Sequence, residues 1–264
     1  LRQLPNLIRL GCHRSVWQLT RRHLRDDRLR RAFSIQPLLV GGNPFDTTCI
    51  YSLIHYLERR WGVHFAMGGT TAIVDALVRL MEEVGIDLRL ETPVREIMVE
   101  AGRVTGVVVD RGESIAADLV VANADPSRVY SRMIPPRHRR RHSDGAIRRK
   151  RQSMSLFVAY FGSRRQYPGL AHHTIVLGER YKGLLDDIFR RRILADDFSL
   201  YLHAPTRTDP SLAPEGNESF YVLSPVPNNR SGIDWSRTAE PYFERVRAEL
   251  ERRVLPGLGE SPVE

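Results

Sequence analysis

The 264 residues carry 40 Lys and Arg against 31 Asp and Glu, a formal charge of +9, and 42% of them are hydrophobic. That balance fits a globular chain of one or two domains and excludes a disordered or collagen-like one. Two cysteines, Cys12 and Cys49, exclude a disulfide framework, and the longest unbroken apolar run, Leu156 to Phe161, is a strand length that cannot cross a bilayer.

Leu1 to Leu4 reads as the interior of a helix, with no charged start and apolar segment of a signal peptide, so the chain is expected to be a piece of a longer one. Asp26 and Asp27 predict a capped helix through Phe33, ended by Pro37. After the turn Gly41 to Pro44, Asp46 or Thr47 caps a second helix with Ile50, Leu53, Ile54 and Leu57 on one face, stopped by Gly62. Gly68-Gly69 opens a helix through Val84, closed by Gly85. Strands follow at Val94 to Val99 and Val104 to Val109, and Asp118 to Ala122 reads as a buried strand broken by Asn123 to Pro126. Beyond these, Ser155 to Phe161, Thr174 to Leu177, Ser199 to His203 and Ser219 to Leu223 read as strands, and Arg180 to Arg191 and Trp235 to Val254 as helices.

The positive charge is almost all arginine, clustered at Arg21 to Arg31, Arg137 to Arg141, Arg148 to Arg151 and Arg190 to Arg192. Such clusters suit phosphates of nucleic acid or of anionic lipid. The stretch Arg137 to Arg151 holds no aromatic residue, which disfavours nucleic acid against a solvated or membrane-facing surface. There is no G-x-G-x-x-G, no phosphate-binding G-x-x-x-x-G-K-[ST] and no G-x-S-x-G. His138 and His142 have a metal-like spacing, but the arginines between them repel a cation, so no metal is expected there. His172-His173 on a strand would point to opposite faces, a hydrogen-bonding pair rather than a chelate. Asp186-Asp187 and Asp196-Asp197 read as helix-surface and helix-end carboxylates ahead of acid/base pairs. Spacing alone identifies no enzyme.

The run RAFSIQPLLVGGNPFDTTCIYSLIHYLERRWGVHFAMGG at Arg31 to Gly69 resembles the bacterial and fungal type of phytoene desaturase, a flavoprotein of carotenoid synthesis. The resemblance continues through VVANADP at Val120 to Pro126, SLFVAYFG at Ser155 to Gly162 and AHHTIVLGERYKGLLDDIF at Ala171 to Phe189, and covers nearly the whole chain. It implies an α/β fold: part of a Rossmann-type FAD-binding domain plus a mixed α+β substrate domain with membrane-facing helices. Residues 1–62 would be the helical part of the substrate domain, 63–130 the returning segment of the FAD domain, and 131–264 the α+β substrate domain. It further implies FAD as cofactor and a lipophilic C40 carotenoid precursor as substrate. A hydride would pass from an allylic carbon to the flavin, with a proton lost from the neighbouring carbon, leading toward neurosporene or lycopene.

The same resemblance places the main chain of Val94 against the adenine, puts Ala122 and Asn123 at the cofactor end of the return strand, and aligns Arg2 with a proposed catalytic arginine near the flavin. A guanidinium stays protonated, so Arg2 suits positioning or charge stabilisation better than a base role. The basic helical stretch with Leu4, Ile8, Trp17 and Leu24 suits an anionic membrane, implying a peripheral protein on the cytoplasmic face. The family's glycine fingerprint for the pyrophosphate is missing, so the segment alone is expected to hold FAD poorly and to be inactive. Rivals are a related carotenoid oxidoreductase with a C30 or coloured substrate, a basic membrane- or nucleic-acid-binding module without cofactor, and a remnant with no activity.

Overall fold

The structure, a computed structural model, describes residues 4–260. In chain order the helices are α1 (Leu4–Arg9), α2 (Val16–His23), α3 (Asp27–Ala32), α4 (Leu53–Trp61), α5 (Gly69–Glu83), α6 (Pro126–Arg128), α7 (Asp144–Arg149), α8 (Tyr181–Asp186) and α9 (Trp235–Arg253). The strands are β1 (Val94–Glu100), β2 (Arg103–Val109), β3 (Ser114–Ala116), β4 (Ser155–Ser163), β5 (His173–Val176), β6 (Leu200–His203) and β7 (Glu218–Val226). The chain divides into two compact units, one holding the residues up to Asp75 and from Ser153 on, the other Ala76–Gln152.

The larger unit is built on an antiparallel sheet of order β4-β7-β6-β5. Strand alternation sends Leu200, Leu202, Phe220, Val222 and Val226 to one face. There they meet Tyr242, Val246 and Leu250 of α9, whose four-residue spacing stacks them on one side of the helix. Asp234 caps α9 by accepting from the Ser236 N–H. A buried hydrogen bond of 2.7 Å joins the hydroxyls of Ser224 and Tyr242, so the Tyr242 hydroxyl that enters this core is partnered. The N-terminal helices begin at Ser15, which forms a reciprocal capping box with Gln18, and at Asp26, which accepts from the N–H groups of Arg28 and Leu29.

A second core gathers Ile35, Leu38, Leu184, Leu185 and Ile188. Trp17 belongs to it, its ring 5.0 Å from that of Phe45 and 5.9 Å from that of Tyr181. The expectation that Trp17 faces a membrane is therefore corrected: its indole packs inward. Among the described residues no helix is long and apolar enough to cross a membrane.

The smaller unit is a three-stranded meander, β1-β2-β3, turned between its first two strands by Gly102 at φ 79°. Asp125 caps α6, which runs into a wide turn over Val129–Met133. The buried strand expected at Asp118 to Ala122 does not form: Leu119 is 77% and Val121 86% exposed. An apolar run becomes a buried strand only with ladder partners, and among the described residues no strand lies beside it. Two other expectations change in detail. The helix expected from Asp46 or Thr47 begins as a tight turn, Cys49–Ser52, and becomes α-helical at Leu53. The helix expected at Arg180 to Arg191 is α8 followed by a wider turn, Asp187–Arg191, ended by Arg192 in the left-handed region.

Candidate functional site

The run Leu156 to Phe161 is apolar at every position, so in an antiparallel sheet both of its faces are hydrophobic. Phe157, Ala159 and Phe161 pack on the core side. Leu156, Val158 and Tyr160 point the other way and are exposed, Tyr160 by 78%. Tyr221, Leu223 and Pro225 of β7, Tyr201 of β6 and Ile175 of β5 share that open face through the register Tyr201↔Leu223 and Ile175↔Tyr201. Near the sheet edge this face closes into a narrow apolar cavity of about 70 Å³, where Ile35, Leu38 and Met154 meet Leu156, Ile175 and Leu223. A contiguous apolar face of this kind is a surface built to take another apolar body.

Two residues beyond Tyr201 along β6 the face turns polar. His203 lies in register with His173, and His172 precedes β5, so strand alternation does not separate the two neighbouring histidines. Their rings lie 4.4 Å apart, and both pack against His203. His172 Nε2 and His203 Nε2 are 2.7 Å apart, and His173 Nδ1 and the Tyr201 hydroxyl 2.6 Å. The expected hydrogen-bonding role holds, while the opposite-face geometry is corrected.

Burial first, then the neighbouring His172 and His173, lowers the His203 pKa to about 4, so its imidazole is neutral near neutral pH. Burial, then the hydrogen bond and charge of Tyr221, pushes the Tyr201 hydroxyl well above its ordinary value. The face thus presents hydrocarbon, aromatic rings and neutral polar groups. It can orient an apolar chain and keep water from it, and the histidines can accept or donate a proton at its end.

The candidate carboxylate pairs serve the structure. Buried Asp187 accepts from Arg180 at 3.0 Å and Arg191 at 3.1 Å, and Asp196 pairs with Arg245 at 2.9 Å. His142 stacks on Tyr130 with ring centroids 3.9 Å apart, while His138 accepts from Arg137 at 3.0 Å. Cys49 is buried and donates to the Gly11 carbonyl, and burial pushes its thiol pKa up, away from nucleophile chemistry.

Of the residues that the sequence points to for the cofactor, Val94, Ala122 and Asn123 all belong to the smaller unit, and Arg2 lies outside the described residues. Val94 opens β1, an edge strand of the meander whose outer side faces no other strand among the described residues. Such an edge offers free N–H and C=O groups to a planar ligand. Ala122 and Asn123 lie on the exposed segment that follows Leu119 and Val121. The open edge at Val94 is the feature here that suits a planar ligand; the glycine turn that would receive a pyrophosphate is absent from the sequence. Sequence reasoning missed the open sheet face and its histidine end. The doubly apolar β4 carried a signal for the first, and the separation of His172 from His203 hid the second.

The family model for flavin-containing amine oxidoreductases matches residues 7–260, and the chain belongs to that family. The fold agrees: an oxidoreductase from Methanosarcina mazei superposes with a TM-score of 0.67 at 17% identity, covering 100% of this chain and 58% of that one. In sequence the chain is similar to two phytoene desaturases. It is 45% identical to the neurosporene-forming one of Cereibacter sphaeroides, over 98% of this chain and 51% of that protein. It is 46% identical to the lycopene-forming one of Pseudescherichia vulneris, over 98% of this chain and 53% of that protein. The chain spans about half the length of the curated relatives it matches.

Proposed function

We propose that this chain supplies one flank of the FAD site and a polyene-facing wall of a desaturase that converts phytoene toward neurosporene or lycopene. The observation that carries the reading is the open apolar sheet face, in a chain 45% identical to a phytoene desaturase. A C40 hydrocarbon has no polar handle, so it is bound by apolar area and shape. Leu156, Val158, Leu223 and Tyr221 offer that area, and His203 at its end is neutral, so that group brings no charge to desolvate. FAD, when bound, supplies the hydride acceptor. The main chain of Val94 would hold the adenine, with Ala122 and Asn123 along the Rossmann-type part of the site.

The substrate dissolves in lipid, and the protein meets it as a peripheral protein on the cytoplasmic face of the membrane. Ile8 and Leu10 are exposed around Arg9, and Leu53, Tyr56 and Trp61 are exposed on α4 beside Arg59 and Arg60. Apolar side chains mixed with arginines suit an anionic leaflet. In liposome flotation the protein is expected to bind anionic vesicles more than neutral ones, and equal binding would remove the electrostatic part of this reading.

The activity test is expression of the full-length protein in cells that accumulate phytoene, with pigments separated by chromatography. Coloured C40 products are expected from the wild type. Leu223→Glu, which puts a charge on the wall, is expected to retain flavin and lose product. Unchanged pigment in that variant would refute the wall, and phytoene left unconverted by the wild type would refute the activity.

A further inference from the structure

We infer that His172, His173 and His203 form a binding site for a borderline divalent transition-metal ion such as Zn²⁺, at the polar end of the open sheet face. One ring nitrogen from each of the three residues lies within 4.8 Å of the other two. The register His173↔His203 fixes two of the rings on paired strands, and the third stands on the residue just before β5. A ligand set carried on strands holds its geometry better than one carried on a loop.

Two of the three outer nitrogens are engaged as in known metal sites, where a hydrogen bond on one ring nitrogen turns the other toward the metal. His172 Nδ1 bonds Thr208 Oγ1 at 2.5 Å, and His173 Nδ1 bonds the Tyr201 hydroxyl at 2.6 Å. Phe65 braces the cluster, its ring 4.7 Å from that of His172 and 5.9 Å from that of His203. His172 and His203 meet Nε2 to Nε2, so two neutral rings share a single proton there. A cation takes that proton's place. With metal–nitrogen bonds of about 2.0–2.1 Å, tetrahedral ligand nitrogens stand roughly 3.4 Å apart, so the 2.7 Å pair opens by a few tenths of an ångström through ring rotation. His203 would ligate through Nε2, the nitrogen that now meets His172, while its Nδ1 on the far side of the ring is buried without a protein partner.

Three imidazoles with neither thiolate nor carboxylate select zinc, cobalt, nickel or copper over magnesium or calcium. Three protein ligands leave a fourth position open for a solvent oxygen.

The inference does not rest on the desaturase reading, since its test needs neither flavin nor polyene. Tag-free full-length protein is stripped with a chelator and titrated with Zn²⁺ by calorimetry, and with Co²⁺ by visible absorption. One Zn²⁺ per chain is expected, with the intense visible bands of four-coordinate Co²⁺. His173→Asn and His203→Asn are each expected to weaken Zn²⁺ binding at least about tenfold. His55→Asn, which changes a histidine bonded to the Phe33 carbonyl, is expected to leave binding unchanged. Because His203 is buried and its variant could misfold, the exposed His173 variant decides on its own. An affinity equal to wild type in His173→Asn, or no stoichiometric Zn²⁺ uptake by the wild type, would overturn the site.

Discussion

Two leucines in neighbouring strands of one sheet test whether its faces do different work. Leu202 is fully buried against α9, whereas Leu223, in register with Tyr201, is half-buried on the open face. Leu202→Ala removes packed hydrocarbon and leaves a cavity, a loss of about 2–5 kcal/mol. At about 2–4 °C per kcal/mol for a domain of this size, a loss near 3 kcal/mol lowers Tm by roughly 6–12 °C. Leu223→Ala removes the same atoms from a side chain already in water on one side, so its folding cost is about 1 kcal/mol. Its effect belongs to binding. Under the proposed function a polyene laid on the wall would complete the burial of Leu223, and losing that contact would remove about 1–1.5 kcal/mol, roughly tenfold in kcat/KM. The assay pairs calorimetric melting of the full-length flavoprotein with turnover of phytoene in liposomes. The expected pattern is crossed: a large Tm drop for Leu202→Ala, and slowed turnover with a near-normal Tm for Leu223→Ala. Equal melting losses for the two variants would refute the assignment of faces, and unchanged turnover in Leu223→Ala would refute the wall.

Three further outcomes follow from local contacts. Tyr181 is buried with its hydroxyl 3.1 Å from that of Ser34, and burial pushes its pKa up to about 12. A group held protonated by the fold contributes stability below its unfolded value, about 10, and loses it as pH rises through about 12; Tyr181→Phe is expected to flatten that alkaline limb in pH-dependent denaturation and to cost about 1 kcal/mol at neutral pH. Asp209 accepts from the Gly68 N–H at 2.6 Å and from Ser211, which holds its carboxyl below the ordinary 3.8. Its stabilisation is present above that ordinary value and lost as pH falls through the lower one, so Asp209→Asn is expected to shrink the acid limb of a pH–stability curve. A Cβ on Gly106 would strike the Ile115 carbonyl across the β2–β3 ladder, so Gly106→Ala is expected to destabilise the meander by about 3 kcal/mol and to speed proteolysis within residues 76–152; an unchanged cleavage rate would count against that clash.

The sequence made the local elements legible wherever one short-range rule decides. Val94 to Val99 and Val104 to Val109 read as neighbouring strands and Trp235 to Val254 as a helix, and all three form, as β1, β2 and α9. It misled wherever the outcome depends on partners far along the chain. The run at 118–122 has the composition of a buried strand, but composition supplies no ladder, and here it stays open. Trp17, among arginines, reads as a membrane residue until Phe45 and Tyr181 fold over it. The histidine cluster was invisible for the same reason: His203 reaches His172 only through the β5–β6 pairing, and the alternation rule fails because His172 stands outside the strand.

The two apolar surfaces left open differ in what can cover them. Leu119 and Val121 lie on backbone without ladder hydrogen bonds, so a complete cover must bring N–H and C=O groups as well as hydrocarbon: another strand meets that need and a lipid does not. The face of Leu156, Val158 and Leu223 sits on strands already paired through β4-β7-β6-β5. Its backbone asks for nothing, so a pure hydrocarbon can cover it without stranding a polar group. Under the proposed function, that contrast fits a strand to the first surface and the polyene to the second.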